Sequence, residues 1–257
     1  MRTNFSRLTN GLFNSAADVL LWYVGLVGGS IGKTHTSRGA YQSLAEANDF
    51  LREVNHNTLR GAWQYLKRQG LVETLKRDVF YEPVITLKAE SRLKSLVPVY
   101  QKRRPWDKRI YIITYDVPET LAKSRNLLRE QLKTLGAASL QQSVWICPYN
   151  LGSVLDDFVS ENGIEGTIIV SNTGRDGGIG DESIENLIIK VYKLNALNDE
   201  YREFLDLVSE KDADKTTLAI HYLSILKEDP QLPFKLLPYW WLGDEAHKAY
   251  QKLIKKK

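Results

Sequence analysis

In the stretch NHNTLRGAWQYLKRQGLV, residues 55–72, four apolar residues recur at helical spacing: Leu59, Ala62, Trp63 and Leu66. If these face a core, His56, Asn57, Arg60, Gln64 and Arg68 stand on the opposite side. Such side chains suit base edges and the phosphates between them, Arg pairing with guanine and Asn or Gln with adenine. Asn55 is a suitable N-cap and Gly70 a C-terminal stop. The N-terminus of such a helix adds its own attraction for phosphate. On this reading His56, Asn57, Arg60 and Gln64 read bases, while Lys67 and Arg68 hold phosphates. The same face also suits an ordinary solvated amphipathic helix, or a winged helix that binds protein.

The elements around this helix follow an informative order. Residues 12–27 read as a buried helix and 41–52, around AYQSLAEANDFL, as a second. After the third helix, VETL and VFYEPVITL are β-prone runs around a polar KRD turn, a hairpin with Lys76 and Arg77 at its tip, where both would meet phosphates. KAESRLKSL returns to helix. Helix, helix, capped helix and basic hairpin is the order of a winged helix-turn-helix, whose partner would be double-stranded DNA.

A different chemistry is raised by KRIYIITYDVPE, residues 108–119, where Asp116 follows an apolar run. Magnesium takes octahedral oxygen ligands, commonly one or two carboxylates with waters. One Asp per chain suffices for a metal only if dimerisation brings two together. Glu119 is near in sequence, but Pro118 redirects the chain between them. The competing expectation is that Asp116 accepts hydrogen bonds from backbone N–H groups at the start of the next helix.

Other motifs fail on register or on lack of partners. GGSIGKT, 28–34, has Val27 where a phosphate-binding loop needs its first glycine. GGIGDES has Ser183 where the dinucleotide pattern needs its last. His35, His56, His221 and His247 show no paired metal spacing. Cys147 falls on an expected strand with no His nearby, as a buried structural thiol. Trp240 and Trp241 suit packing of the final helix, or a ligand pocket.

RIYIITYDV reads as a strand and PETLAKSRNLLREQLKTLG as a helix, with Pro118 near its start and Leu121, Leu128, Leu132 and Leu135 on one face. LQQSVWICPY alternates as a strand, GSVLDDFVSENG is a short helix and GTIIVSN a further strand. This βαββαβ-like order suggests a ferredoxin-like sandwich, with a last strand supplied from elsewhere or from a partner chain. ENLIIKVYKLNALNDEYREFLDLV, TTLAIHYLSILKEDP and the C-terminal residues are mostly helical. Linker-like stretches at 97–108 and 171–183 divide the chain. The fold class is therefore α+β: a winged helix-turn-helix over 1–98, a ferredoxin-like dimerisation domain over 106–171 and a helical region over 183–257.

The 257 residues are 43% hydrophobic and 26% charged, as in ordinary globular proteins. The net charge of +4 is unevenly spread. Residues 1–104 hold 16 Lys and Arg against 8 Asp and Glu, a basic part that suits a polyanion. A single cysteine allows no internal disulfide and suits a cytoplasmic protein. The apolar run ADVLLWYVGLVGG is interrupted by Asp18, lacks a clean cleavage site and falls short of the about 20 residues that span a bilayer. No membrane association is expected.

Taken together, NTLRGAWQYLKRQGLV, WDKRIYIITYDVPE, LGAASLQQSVWICPYN, YKLNALNDEYREFLDLV and DPQLPFKLLPYWWLGDEAHKAYQKL resemble the PaaX-type transcriptional repressors, regulators first associated with phenylacetate catabolism. The resemblance runs in order over nearly the whole chain. It implies a homodimer that binds operator DNA through its first domain, released by an acyl-CoA or similar metabolite. It also implies a middle domain similar to the small CRISPR-associated adaptation nuclease, in which an acid from each subunit shares a metal. The expectation is a regulator and not an enzyme, without a cofactor. The alternative is a metal-dependent nuclease using Asp116 and Mg²⁺.

Overall fold

The computed structural model describes residues 9–27, 54–77, 80–173, 183–210 and 214–255. The helix expected over 41–52, the GGSIGKT stretch and residues 174–182 of the glycine-rich connector lie outside the described residues. In chain order the first elements are α1 (Ala16–Val27), α2 (His56–Arg68), β1 (Val72–Arg77), β2 (Phe80–Ile85) and α3 (Leu87–Leu96). Next come β3 (Tyr111–Asp116), a 3-10 turn (Glu119–Leu121), α4 (Ala122–Thr134), β4 (Ala138–Gln141), β5 (Val144–Cys147), α5 (Gly152–Asn162) and β6 (Thr167–Asn172). The last are α6 (Ile184–Val191), α7 (Leu194–Ser209), α8 (Lys215–Glu228), a 3-10 turn (Phe234–Leu236) and α9 (Gly243–Lys255). No helix of the described residues is long and apolar enough to cross a membrane. Contacts group the chain into two units, one of residues 1–100, 199–229 and 242–257, the other of 101–198 and 230–241. The third sequence segment, 183–257, is thus divided between them.

In the first unit α1 starts at Ser15, whose hydroxyl accepts from the Asp18 N–H at 3.2 Å and donates to its carboxylate at 2.7 Å. Val19 to Val24 are all buried, so the apolar N-terminal run is a core helix. It packs on α2, β2 and α3. Asp18, the charge that interrupts that run, is paired with Arg92 of α3 at 2.6 Å. Hydrogen bonds from Arg92 to Asp18 first, and to Tyr65 second, hold its guanidinium above the ordinary range. The C-terminal helices belong here too. Asp214 caps α8, accepting from the Thr217 N–H at 2.8 Å, and most of α8 is buried. Tyr222 of α8 stacks on Tyr250 of α9 with ring centroids 4.3 Å apart, and its hydroxyl lies 2.8 Å from His247 Nδ1. Lys227 donates to the carbonyl of Gly11 at 2.7 Å. The described elements run α1, α2, β1–β2, α3; the helix expected between α1 and α2 lies outside the described residues.

The second unit is built on an antiparallel sheet of order β4-β5-β3-β6. Its elements run βαββαβ, as the sequence suggests. One expectation is corrected. LQQSVWICPY is a hairpin and not one strand: β4 and β5 pair with each other, Gln141 opposite Val144, around Gln142 and Ser143. That hairpin supplies the fourth strand, so none has to come from another chain. Period-2 alternation sorts the core onto two faces. Ile113, Tyr115, Trp145 and Cys147 pack against Leu128 and Leu132 of α4 and Leu155 of α5. Ile110 and Ile146 pack against Leu187 and Ile188 of α6 and against Leu232 and Leu236. Trp240 and Trp241 join this second cluster, in the unit that does not hold the final helix they were expected to pack. The long apolar periodicity from Glu185 onward is interrupted between α6 and α7, where Lys193 takes φ 53°. There the Tyr192 hydroxyl donates toward the carbonyls of Gly136 and Ile146 at 3.0 and 3.1 Å.

Candidate nucleic-acid interface

The capped helix α2 forms as its residue types dictate. The Asn55 side chain accepts from the Asn57 N–H at 2.9 Å, satisfying one of the donors a helix start leaves orphaned. Gly70, at φ 63°, ends the segment in the left-handed region that favours glycine. Leu59, Ala62, Trp63 and Leu66 are buried, and His56, Asn57, Arg60, Gln64, Lys67 and Arg68 are all exposed. The structure therefore brings six of the eight sequence-selected residues onto the outward side of a single helix. Arg60 and Gln64 are separated by one turn, about 6 Å along the axis, a spacing at which two side chains can address neighbouring base pairs.

The hairpin is tied to the end of this helix. Thr86 donates its hydroxyl to the Gly70 carbonyl at 2.7 Å and its N–H to the Leu71 carbonyl at 3.1 Å. Lys88 donates to the Gln69 carbonyl at 3.0 Å. In the β1–β2 register Lys76 lies opposite Tyr81 and Arg77 opposite Phe80, so both cations sit at the turn end. Lys76 is exposed. The turn residues 78 and 79, and the side chain of Arg77, lie outside the described residues.

Asp116 does not cap the element that follows it. It ends β3, exposed. Neither the 3-10 turn after it nor α4 receives a side-chain cap. The capping expectation is thus corrected: Pro118, with ψ 141°, carries the chain away before the turn begins. Glu119 turns to Arg125, at 3.7 Å, and not to Asp116. Among the described residues no group of three or more His, Cys, Asp or Glu is arranged to hold a metal. A Mg²⁺ site built on Asp116 would draw its other ligands from water or a second chain. Sequence reasoning passed over Arg125, Arg129 and Lys133, whose spacing of four along α4 places them on one side of that helix; all three line a single groove.

Comparison with known proteins bears on this arrangement. The family model described as the PaaX protein central Cas2-like domain matches residues 103–184, and that of the PaaX-like protein C-terminal domain matches residues 192–257. The chain belongs to the PaaX-type family. The Cas2-like match spans the whole four-stranded sheet, so Asp116 belongs to the Cas2-like part and α2 lies ahead of both matched regions. Among solved structures, the chain is similar to the uncharacterized protein Rv0674 from Mycobacterium tuberculosis. They share 19% identity, with 93% of this chain and 94% of that one covered and a TM-score of 0.58, a likeness of fold. A search of curated proteins gives no match.

Proposed function

We propose that this PaaX-type chain is a sequence-specific DNA-binding regulator of transcription, a homodimeric repressor that a small metabolite such as an acyl-CoA releases from its operator. The reading rests chiefly on α2, a capped helix with a buried apolar side and a largely polar exposed side, followed directly by a hairpin with cations at its tip. The first unit then acts as a winged helix-turn-helix. His56, Asn57, Arg60 and Gln64 read base edges in the major groove. Lys67, Arg68, Lys76 and Arg77 hold phosphates and set the register. The Cas2-like part serves as the dimerisation scaffold. Family membership favours a regulator over an enzyme, and the exposed, unclustered Asp116 does not favour a nuclease.

The test uses the full-length protein and a duplex selected from a random pool by repeated binding. Arg60→Ala should weaken that duplex by about 1–3 kcal/mol and relax the preference at one position. Lys76→Ala should instead weaken all sequences alike and reduce the slope of log K against log salt by about 0.9. Fluorescence anisotropy from roughly 50 to 200 mM salt measures both. Unchanged affinity in both Arg60→Ala and Gln64→Ala, or no saturable duplex binding, would overturn the assignment.

A further inference from the structure

The groove on α4 is lined by donors. Arg125, Arg129 and Lys133 stand at successive turns, a cationic row about 12 Å long. Asn126, Trp145 and Glu119 line the same space. Arg129 is the central cation and is held in place by neutral acceptors. Its Nε donates to the Tyr115 hydroxyl at 2.9 Å, and the Gln142 carbonyl lies 3.5 Å from Nη2. Tyr115 is itself anchored, donating its hydroxyl to the same carbonyl at 2.8 Å. No carboxylate among the described residues pairs with Arg129. The flanking cations are only loosely engaged. Arg125 meets Glu119 at 3.7 Å, with the Glu119 side chain 95% exposed. Lys133 meets Glu130 at 2.7 Å, both largely exposed, a pair of the kind that contributes little and exchanges readily.

A solvated helix face accounts for cations at such spacing, but not for two further features. A guanidinium pre-set by neutral partners keeps its fork directed at an anion without spending its charge inside the protein. Trp145, 3% exposed, carries a buried indole N–H with no acceptor among the described residues. Such orphaned donors are few in folded proteins, and each asks for an explanation. The groove, about 490 Å³, has the size of a small-molecule site.

From this we infer that the Arg125–Arg129–Lys133 groove binds a small ligand carrying two or more phosphoryl groups. Arg129 grips one phosphoryl group through its remaining N–H groups. Arg125 and Lys133 exchange their surface carboxylates for the others, and the Asn126 amide meets the organic part when there is one. The inference stands on the second unit alone and does not depend on DNA binding by α2.

Isothermal titration calorimetry of the full-length protein tests it with two probes. Inorganic pyrophosphate presents the phosphoryl groups alone, and adenosine diphosphate adds an organic body. Sulfate serves as the single-anion control. One saturable site per chain is expected for at least one of the two probes, at least tenfold tighter than sulfate. Arg129→Ala should weaken it at least tenfold, and Lys123→Gln, on α4 but outside the groove, less than twofold. Tighter binding of the diphosphate nucleotide would identify an organic ligand, and equal binding a free oligophosphate. Should Arg129→Ala lose its native circular dichroism, the Arg125→Gln, Lys133→Gln double variant carries the same expectation. Absence of saturable binding to both probes, parity with sulfate, or wild-type affinity in the folded groove variants would overturn the inference.

Discussion

Cys147 lies on β5 at 0% exposure, on the sheet face packed by Leu128, Leu132 and Leu155. Burial is the main cause that pushes its thiol from 9.0 up to about 11, against a smaller lowering by a hydrogen bond from the Tyr149 backbone. The thiolate is the reactive form, so a thiol reagent at pH 8 should label the protein only after unfolding. The same shift sets a direction for stability. Because the folded pKa lies above the unfolded one, the folded state keeps a proton that the unfolded state gives up. Stability is complete below about pH 9 and falls as pH rises towards 11, by on the order of 2 kcal/mol from this group. Urea unfolding at pH 8 and pH 11 should show a smaller loss in Cys147→Ala than in the wild type. Equal losses in both proteins would assign the alkaline sensitivity to tyrosines such as Tyr250, which burial pushes up to about 12.

Gly166 governs how β6 begins. It sits at φ 135°, and a Cβ there would overlap the carbonyl oxygen of Asp116 and lie 3.1 Å from Val117 Cα. Both neighbours are backbone, so neither can swing aside. Gly166→Ala should cost roughly 1–3 kcal/mol, read as a lower urea midpoint with an unchanged slope. A wild-type midpoint would show that the β3–β6 junction yields more readily than its geometry indicates. Element by element, legibility tracked how local the signal was. The capped α2 was plain, because a cap, an apolar stripe and a glycine stop all lie within 16 residues of sequence. The β4–β5 hairpin was not, because Gln142-Ser143 lacks the Asn-Gly or Asp-Gly chemistry that announces a two-residue turn. The α6–α7 break was hidden likewise: Lys193 takes a left-handed conformation that usually goes to glycine, held by Tyr192 through carbonyls some 46 and 56 residues away in sequence. The cation row on α4 was present as a spacing of four. Its meaning came only from the groove that β5 and the β4–β5 turn complete.

At the level of the molecule, the first unit is assembled from three stretches of sequence, the second from two. The N-terminal helices share their unit with α8 and α9, through contacts such as that of Lys227 with Gly11. A fragment ending at residue 98, the boundary suggested by sequence, would lack α8 and α9, which belong to the same unit. That fragment should lack a cooperative thermal transition by circular dichroism, while the full chain shows one. A sharp melt of the isolated fragment at the temperature of the full chain would show that the N-terminal elements stand without their C-terminal neighbours. Periodicity marks which side of an element is apolar but does not name the distant segment that covers it, so this sharing was not visible in the sequence.

The polypeptide changes unit four times, after residues 100, 198, 229 and 241. A module joined to its neighbour by one strand of chain can be acquired or discarded by a single recombination event. One sewn in by four passages cannot, since an exchanged N-terminal half would arrive without the helices that complete it. New binding preferences in this lineage should therefore arise by point substitution on an inherited frame, and chimaeras spliced between relatives should fail unless both ends of the chain come from the same parent.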